Sequence, residues 1–192
     1  MPASPRVAIL VVALLSAYVS FAYGRFLREG SFIPVGETVR PPPGFLSFCV
    51  REPTQCAAGP AAGPVRLDPQ TWELLSRVDA DVNAHTRRLD DRTNHGVPEY
   101  WAIVRNGHGD CNDIAVTKRS ILHHAGIPLR DLRLALVATD SGDRHVVLTV
   151  VTERGDLVLD SLSSEIRPWN DTPYRWLMRQ DGSAIGWAAI AN

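Results

Sequence analysis

Lysine is almost missing from this chain: Lys118 is the sole one among 20 basic residues. The arginines stand singly or in pairs such as Arg87-Arg88, and the formal net charge is -1. No basic stripe exists to track a phosphate backbone, so nucleic acid is excluded as a partner. Cysteine is scarce too. Cys49, Cys56 and Cys111 are too few for a disulfide scaffold, and their odd number singles out one thiol. There is no His-Glu-x-x-His and no Cys-x-x-Cys, which removes the familiar zinc-enzyme patterns. Heptads and internal repeats are absent as well. What remains is ordinary: 45% hydrophobic and 21% charged residues over 192 positions, enough for one packed domain with extensions.

After Arg6, no charge occurs from Val7 to Gly24. The apolar heart is short, and Ser20-Phe21-Ala22 puts small residues at the -3 and -1 positions of a cut after Ala22. Residues 1–22 therefore read as a cleaved signal peptide, and the protein as periplasmic or exported. The same 18-residue stretch, 7–24, is the lower limit for a membrane span, so the alternative is an inner-membrane anchor. Only in that case is the membrane a partner.

Residues 23–66 form a Pro/Gly-rich segment, with Pro41-Pro42-Pro43-Gly44 and Gly59-Pro60-Ala61-Ala62-Gly63-Pro64. Proline fixes φ and removes backbone donors, so little regular structure is expected there. Cys49 and Cys56 lie seven positions apart and could close a small loop in an oxidising compartment, or remain two small apolar residues.

The domain proper is expected over 67–192. Asp68-Pro69 is a helix start, and Trp72, Leu75, Val78, Val82 and Leu89 recur near helical spacing, predicting a helix over 69–89. Its charged residues, Arg88 among them, read as a solvated face. A second helix starts at Gly109-Asp110-Cys111 and ends near His124, before Gly126 and Pro128. Strands are predicted over 132–139, 145–152 and 156–160, with turn-rich links. Helices followed by an antiparallel meander make the fold class α+β.

Cys111 falls in the first turn of the second helix, where unpaired backbone N–H groups favour a thiolate and could hold a developing oxyanion. Gly109 would let a substrate backbone come close. The opposing reading is a buried structural cysteine. His145 opens one strand and Asp160 closes the next. If the link between the strands has an even number of residues, alternation with period two puts them on one sheet face, either directly opposite or as diagonal neighbours according to the turn. That spacing suits a Cys-His-Asp triad, in which the imidazole takes the thiol proton and the carboxylate orients the ring.

The blocks Gly109-Asp110-Cys111-Asn112-Asp113, His145-Val146-Val147-Leu148 and Leu157-Val158-Leu159-Asp160 stand in this order. Together with Gly44 to Cys49 and Pro168-Trp169, they resemble the bacterial transglutaminase-like cysteine proteinases, which include the LapG-type periplasmic branch that cuts large adhesins from the cell surface. The resemblance implies a papain-like or transglutaminase-like core with Cys111 as nucleophile, His145 as base and acid, and Asp160 as orienting carboxylate. It implies a protein or peptide substrate, a surface adhesin in that branch. No cofactor is required for such chemistry, but the branch ties acidic residues beside the cysteine to calcium. Asp110 and Asp113 could serve, with Asn112 giving a neutral oxygen where the family usually has Glu; that loss weakens a hard-cation site. The other reading of these acids is stabilisation of the helix start.

The residues thus point to an exported cysteine peptidase or amidase working through an acyl-enzyme. The alternatives are an acyl transferase to amines and a catalytically silent binding or scaffold protein of the same fold.

Overall fold

The computed structural model describes residues 31–57, 59 and 63–191. The expected signal or anchor segment lies outside the described residues. Within them, no helix is long and apolar enough to cross a membrane.

The Pro/Gly-rich segment departs from expectation. It holds strand β1 (Val35–Val39) and helix α1 (Pro43–Arg51). Pro43 sits at the first helical position, where the missing N–H costs nothing and the fixed φ is already helical. The proline run therefore starts a helix instead of preventing one. Phe45 buries its ring edge-on against Trp101 and Trp187, with centroids 5.9 and 5.5 Å away. A short 3-10 turn, Pro53–Cys56, follows, and Cys49 is joined to Cys56 by a disulfide. Closing so short a loop restricts the unfolded chain, and Cys49→Ala should lower unfolding free energy by roughly 2–3 kcal/mol. Urea titration checks this, and an unchanged midpoint contradicts it.

Helix α2 (Pro69–His85) begins under an Asp68 cap whose Oδ1 accepts from Thr71 N–H at 2.9 Å. It ends four residues before the expected position because Arg87–Arg88 leave the helix as strand β2. Helix α3 (Asp91–His95) is one turn long, and strand β3 (His108–Gly109) pairs in parallel with β2. Helix α4 (Cys111–His124) follows, and its end is marked by Gly126 at φ 103°.

Six strands complete the fold: β4 (Leu132–Ala138), β5 (Arg144–Thr152), β6 (Gly155–Leu159), β7 (Arg167–Pro168), β8 (Arg175–Gln180) and β9 (Trp187–Ile190). With β1 they build a seven-stranded antiparallel sheet in the order β1-β9-β8-β4-β5-β6-β7. Helix α4 lies against β4 and β5, and α2 lies against α4. One sheet face carries Ala135, Val137, Val147 and Val158, with Ile33 and Trp176 beside them and Trp169, Tyr174 and Ile190 packed on top. Leu134 and Leu148, one position away on paired strands, are fully buried on the other face. Helices on an antiparallel sheet are the expected α+β arrangement.

Candidate active site

Asp110 fixes where α4 begins. Its Oδ1 accepts from the N–H groups of Asn112 at 2.8 Å and Asp113 at 3.3 Å, while Asp113 Oδ2 accepts from Asp110 N–H at 3.3 Å. This reciprocal capping box makes Cys111 the first helical residue. Gly109 makes room for the cap rather than for a substrate: a Cβ there would stand 2.7 Å from Asp113 Cβ and 3.0 Å from Val104 Cγ2. Two of the N–H groups expected at the helix start are thus already engaged. The backbone N–H groups of Val146 on β5 and of Cys111 itself favour the thiolate.

Val146 adjoins His145. On β5 and β6, Leu148 pairs with Leu159 and Thr152 with Gly155, so Asp160 is the diagonal neighbour of His145 on the same face. The two side chains meet. His145 Nε2 lies 2.6 Å from Asp160 Oδ1, and both residues are buried. Asp160 Oδ1 also accepts from Leu162 N–H at 3.0 Å, and Oδ2 accepts from the Tyr174 hydroxyl. Behind it, the Asp160 carbonyl accepts from Asn83 Nδ2 at 2.8 Å and Lys118 Nζ at 3.0 Å. Lys118 is itself paired with Asp79 at 2.6 Å, and neither is exposed. Asp160 is held at both its carboxylate and its backbone.

Cys111 and His145 line one open cleft of about 660 Å³, together with Arg88, Asp90, Arg144 and Leu162. Arg88 is solvent-exposed, as expected, and it also stands in this wall and donates to Ser161 Oγ at 2.8 Å. The strand β2 carries it there after the early end of α2.

Burial pushes the Cys111 thiol up to about 11, and Asp110 adds to the rise, against the Val146 N–H and Arg88, which pull it down. The resting sulfur is therefore a neutral thiol near pH 7 and needs an acceptor for its proton. Burial would raise Asp160, but hydrogen bonds from His145, Tyr174 and Leu162 N–H outweigh it and hold the carboxyl below its usual range. Burial and the Asp160 acceptor keep the Tyr174 proton in place.

The three residues that resemblance ties to calcium are arranged as a helix start. Asp110 spends Oδ1 on backbone N–H groups and Oδ2 on Asn112 Nδ2 at 3.3 Å, while Asn112 Oδ1 lies 3.8 Å from Cys111 Sγ. Asp113 Oδ1 accepts from Ala102 N–H at 2.7 Å while its Oδ2 stays in the capping box. Burial, Asp110 and Asp91 push the Asp113 carboxyl up to about 7. Among the described residues, the histidine and acidic side chains that could hold a metal ion are Asp91, His95 and Asp113.

Sequence reading missed Tyr174, Asn83 and Lys118 as holders of Asp160. Lys118 carried a signal: Ile114, Lys118 and Leu122 are four apart and share one helix face, so the lysine stands in an apolar row.

The profile of the family described as bacterial transglutaminase-like cysteine proteinase BTLCP matches residues 35–192. No curated protein matches the chain. Three solved structures of Legionella pneumophila LapG are similar. The calcium-bound one is 25% identical with a TM-score of 0.51, over 59% of this chain and 66% of that one. The EGTA-treated one is 23% identical with a TM-score of 0.54, over 66% and 70%. A third is 24% identical with a TM-score of 0.52, over 66% and 72%. With the fold they share and the family profile spanning nearly all the described residues, this chain belongs to the bacterial transglutaminase-like cysteine proteinases.

Proposed function

We propose that the chain is an exported cysteine peptidase that cleaves a peptide bond in a protein substrate through an acyl-enzyme. The observation that carries this reading is the 2.6 Å pair between His145 Nε2 and Asp160 Oδ1, on the cleft that also holds Cys111. With Nε2 engaged, His145 Nδ1 takes the thiol proton as Cys111 Sγ attacks the scissile carbonyl. The Cys111 N–H steadies the oxyanion. When the C–N bond breaks, the imidazolium returns its proton to the leaving amine. Water, deprotonated by the same imidazole, then hydrolyses the thioester and frees the carboxylate and the thiol. Asp160 keeps the ring in the tautomer with its proton on Nε2 and stabilises the imidazolium.

Family membership supports a protein substrate, and the disulfide between Cys49 and Cys56 supports an oxidising compartment. A surface adhesin is the substrate we propose from the LapG likeness. No cofactor enters these steps, and calcium has no assigned part in them.

Incubation with a chromogenic peptide panel and a periplasmic proteome tests the reading. Cleavage should vanish in Cys111→Ala, and intact-mass spectra of the unaltered protein should show an acyl group on Cys111. Equal cleavage by Cys111→Ala removes the nucleophile assignment.

A further inference from the structure

Asp91, His95 and Asp113 each bring one ligand atom to within 4.8 Å of the others. They sit beside the Cys111 cleft, not in it: His95 and Asp113 line a separate cavity of about 290 Å³ with Tyr100 and His108. Asp91 is 3% exposed, and its Oδ2 accepts from Tyr100 N–H at 2.5 Å, while its Oδ1 has no hydrogen-bond partner. A buried carboxylate oxygen without a donor is costly and leaves room for a water or a cation to meet it. Asp113 Oδ2 lies 4.0 Å from His95 Nε2. Asn94 Nδ2 is 3.0 Å from that same nitrogen; with the amide N–H₂ as donor, Nε2 is unprotonated and its lone pair, here turned to Asn94, is the one a metal would take in that contact's place.

We infer that Asp91, His95 and Asp113 form a binding site for a divalent transition-metal ion of the zinc class, with its open coordination position toward the 290 Å³ cavity. Two carboxylates and one imidazole suit such an ion. Calcium, by contrast, takes six to eight oxygens, and an imidazole in the set counts against it. Zinc sites with three protein ligands have bonds of about 2.0–2.2 Å, so the donors must draw together by ~1 Å and Asn94 must yield its contact. The ion would join α3 to the first turn of α4, two residues past Cys111, while the neighbouring Asp90 lines the Cys111 cleft. It is a clamp on one wall of that cleft and takes no part in bond-making.

The site stands whether or not the chain is a peptidase, and binding reads it directly. The full chain, stripped with EDTA and dialysed, is titrated calorimetrically with ZnCl₂ and separately with CaCl₂. One Zn²⁺ per chain is expected, bound at least ~100-fold more tightly than Ca²⁺, with a matching rise in Tm. His95→Ala, checked for folding by circular dichroism, should lose ~100-fold in zinc affinity, whereas Cys111→Ser and His124→Ala should lose none. Cobalt substitution of the unaltered protein keeps the test open should His95→Ala fail to fold: its spectrum should lack a thiolate-to-cobalt charge-transfer band. Tighter calcium than zinc, full zinc affinity in His95→Ala, a thiolate band, or no zinc binding each overturns the inference.

Discussion

His145→Ala should lower kcat/KM by ~10²–10⁴-fold, the usual worth of a positioned general base, and should change how the thiol responds to pH. Burial holds the Cys111 thiol at about 11. For a group with a raised pKa, the anion fraction grows as pH rises, so at pH 7 only ~10⁻⁴ of an unassisted thiol of this kind is thiolate. Alkylation by iodoacetamide should therefore be slow at pH 7 in His145→Ala and climb about tenfold per pH unit toward 11. With the imidazole as proton acceptor, the neutral-pH rate of the unaltered protein should exceed that of the variant by two orders of magnitude or more. The two curves should converge near pH 11. Superimposable profiles across the range would mean that His145 does not serve the sulfur.

The second large effect concerns stability. Lys118→Met leaves Asp79 buried without its 2.6 Å partner and deprives the Asp160 carbonyl of a donor. Breaking a buried ion pair from one side costs about 3–5 kcal/mol, because the remaining charge is uncompensated. Replacing both partners, as in Asp79→Leu with Lys118→Met, removes that charge and should recover much of the loss. Urea unfolding of the two single variants and the double variant measures this directly. Single variants within ~1 kcal/mol of the unaltered protein would show that the pair carries no such burden.

Helix α4 and the β4-β5-β6 meander could be read from the residues because local chemistry and tertiary packing agree there. Asp110 is both a good cap and the observed cap, and the turn residues at Asp140 to Asp143 and Glu153-Arg154 separate the strands as expected. The same meander puts His145 and Asp160 on one face given an even link, and the two-residue turn between Thr152 and Gly155 meets that condition. Other parts depend on long-range partners. β1 gains its strand character from pairing with β9, about 150 residues later, which no local window contains. α1 runs against the expectation for a proline-rich stretch because one of its prolines stands at the helix start. Arg88 reaches the cleft only because β2 pairs with β3. The anchoring of Asp160 by Tyr174, Asn83 and Lys118 draws on three separate elements and has no spacing of its own.

That edge pairing also sets the order in which the molecule can be completed. Val35 meets Ile190, so the first strand has no hydrogen-bonding neighbour until residues 187–190 have left the ribosome. A loop of such length closes late, after shorter-range contacts have formed. The growing polypeptide thus stays open at one rim until β9 has emerged.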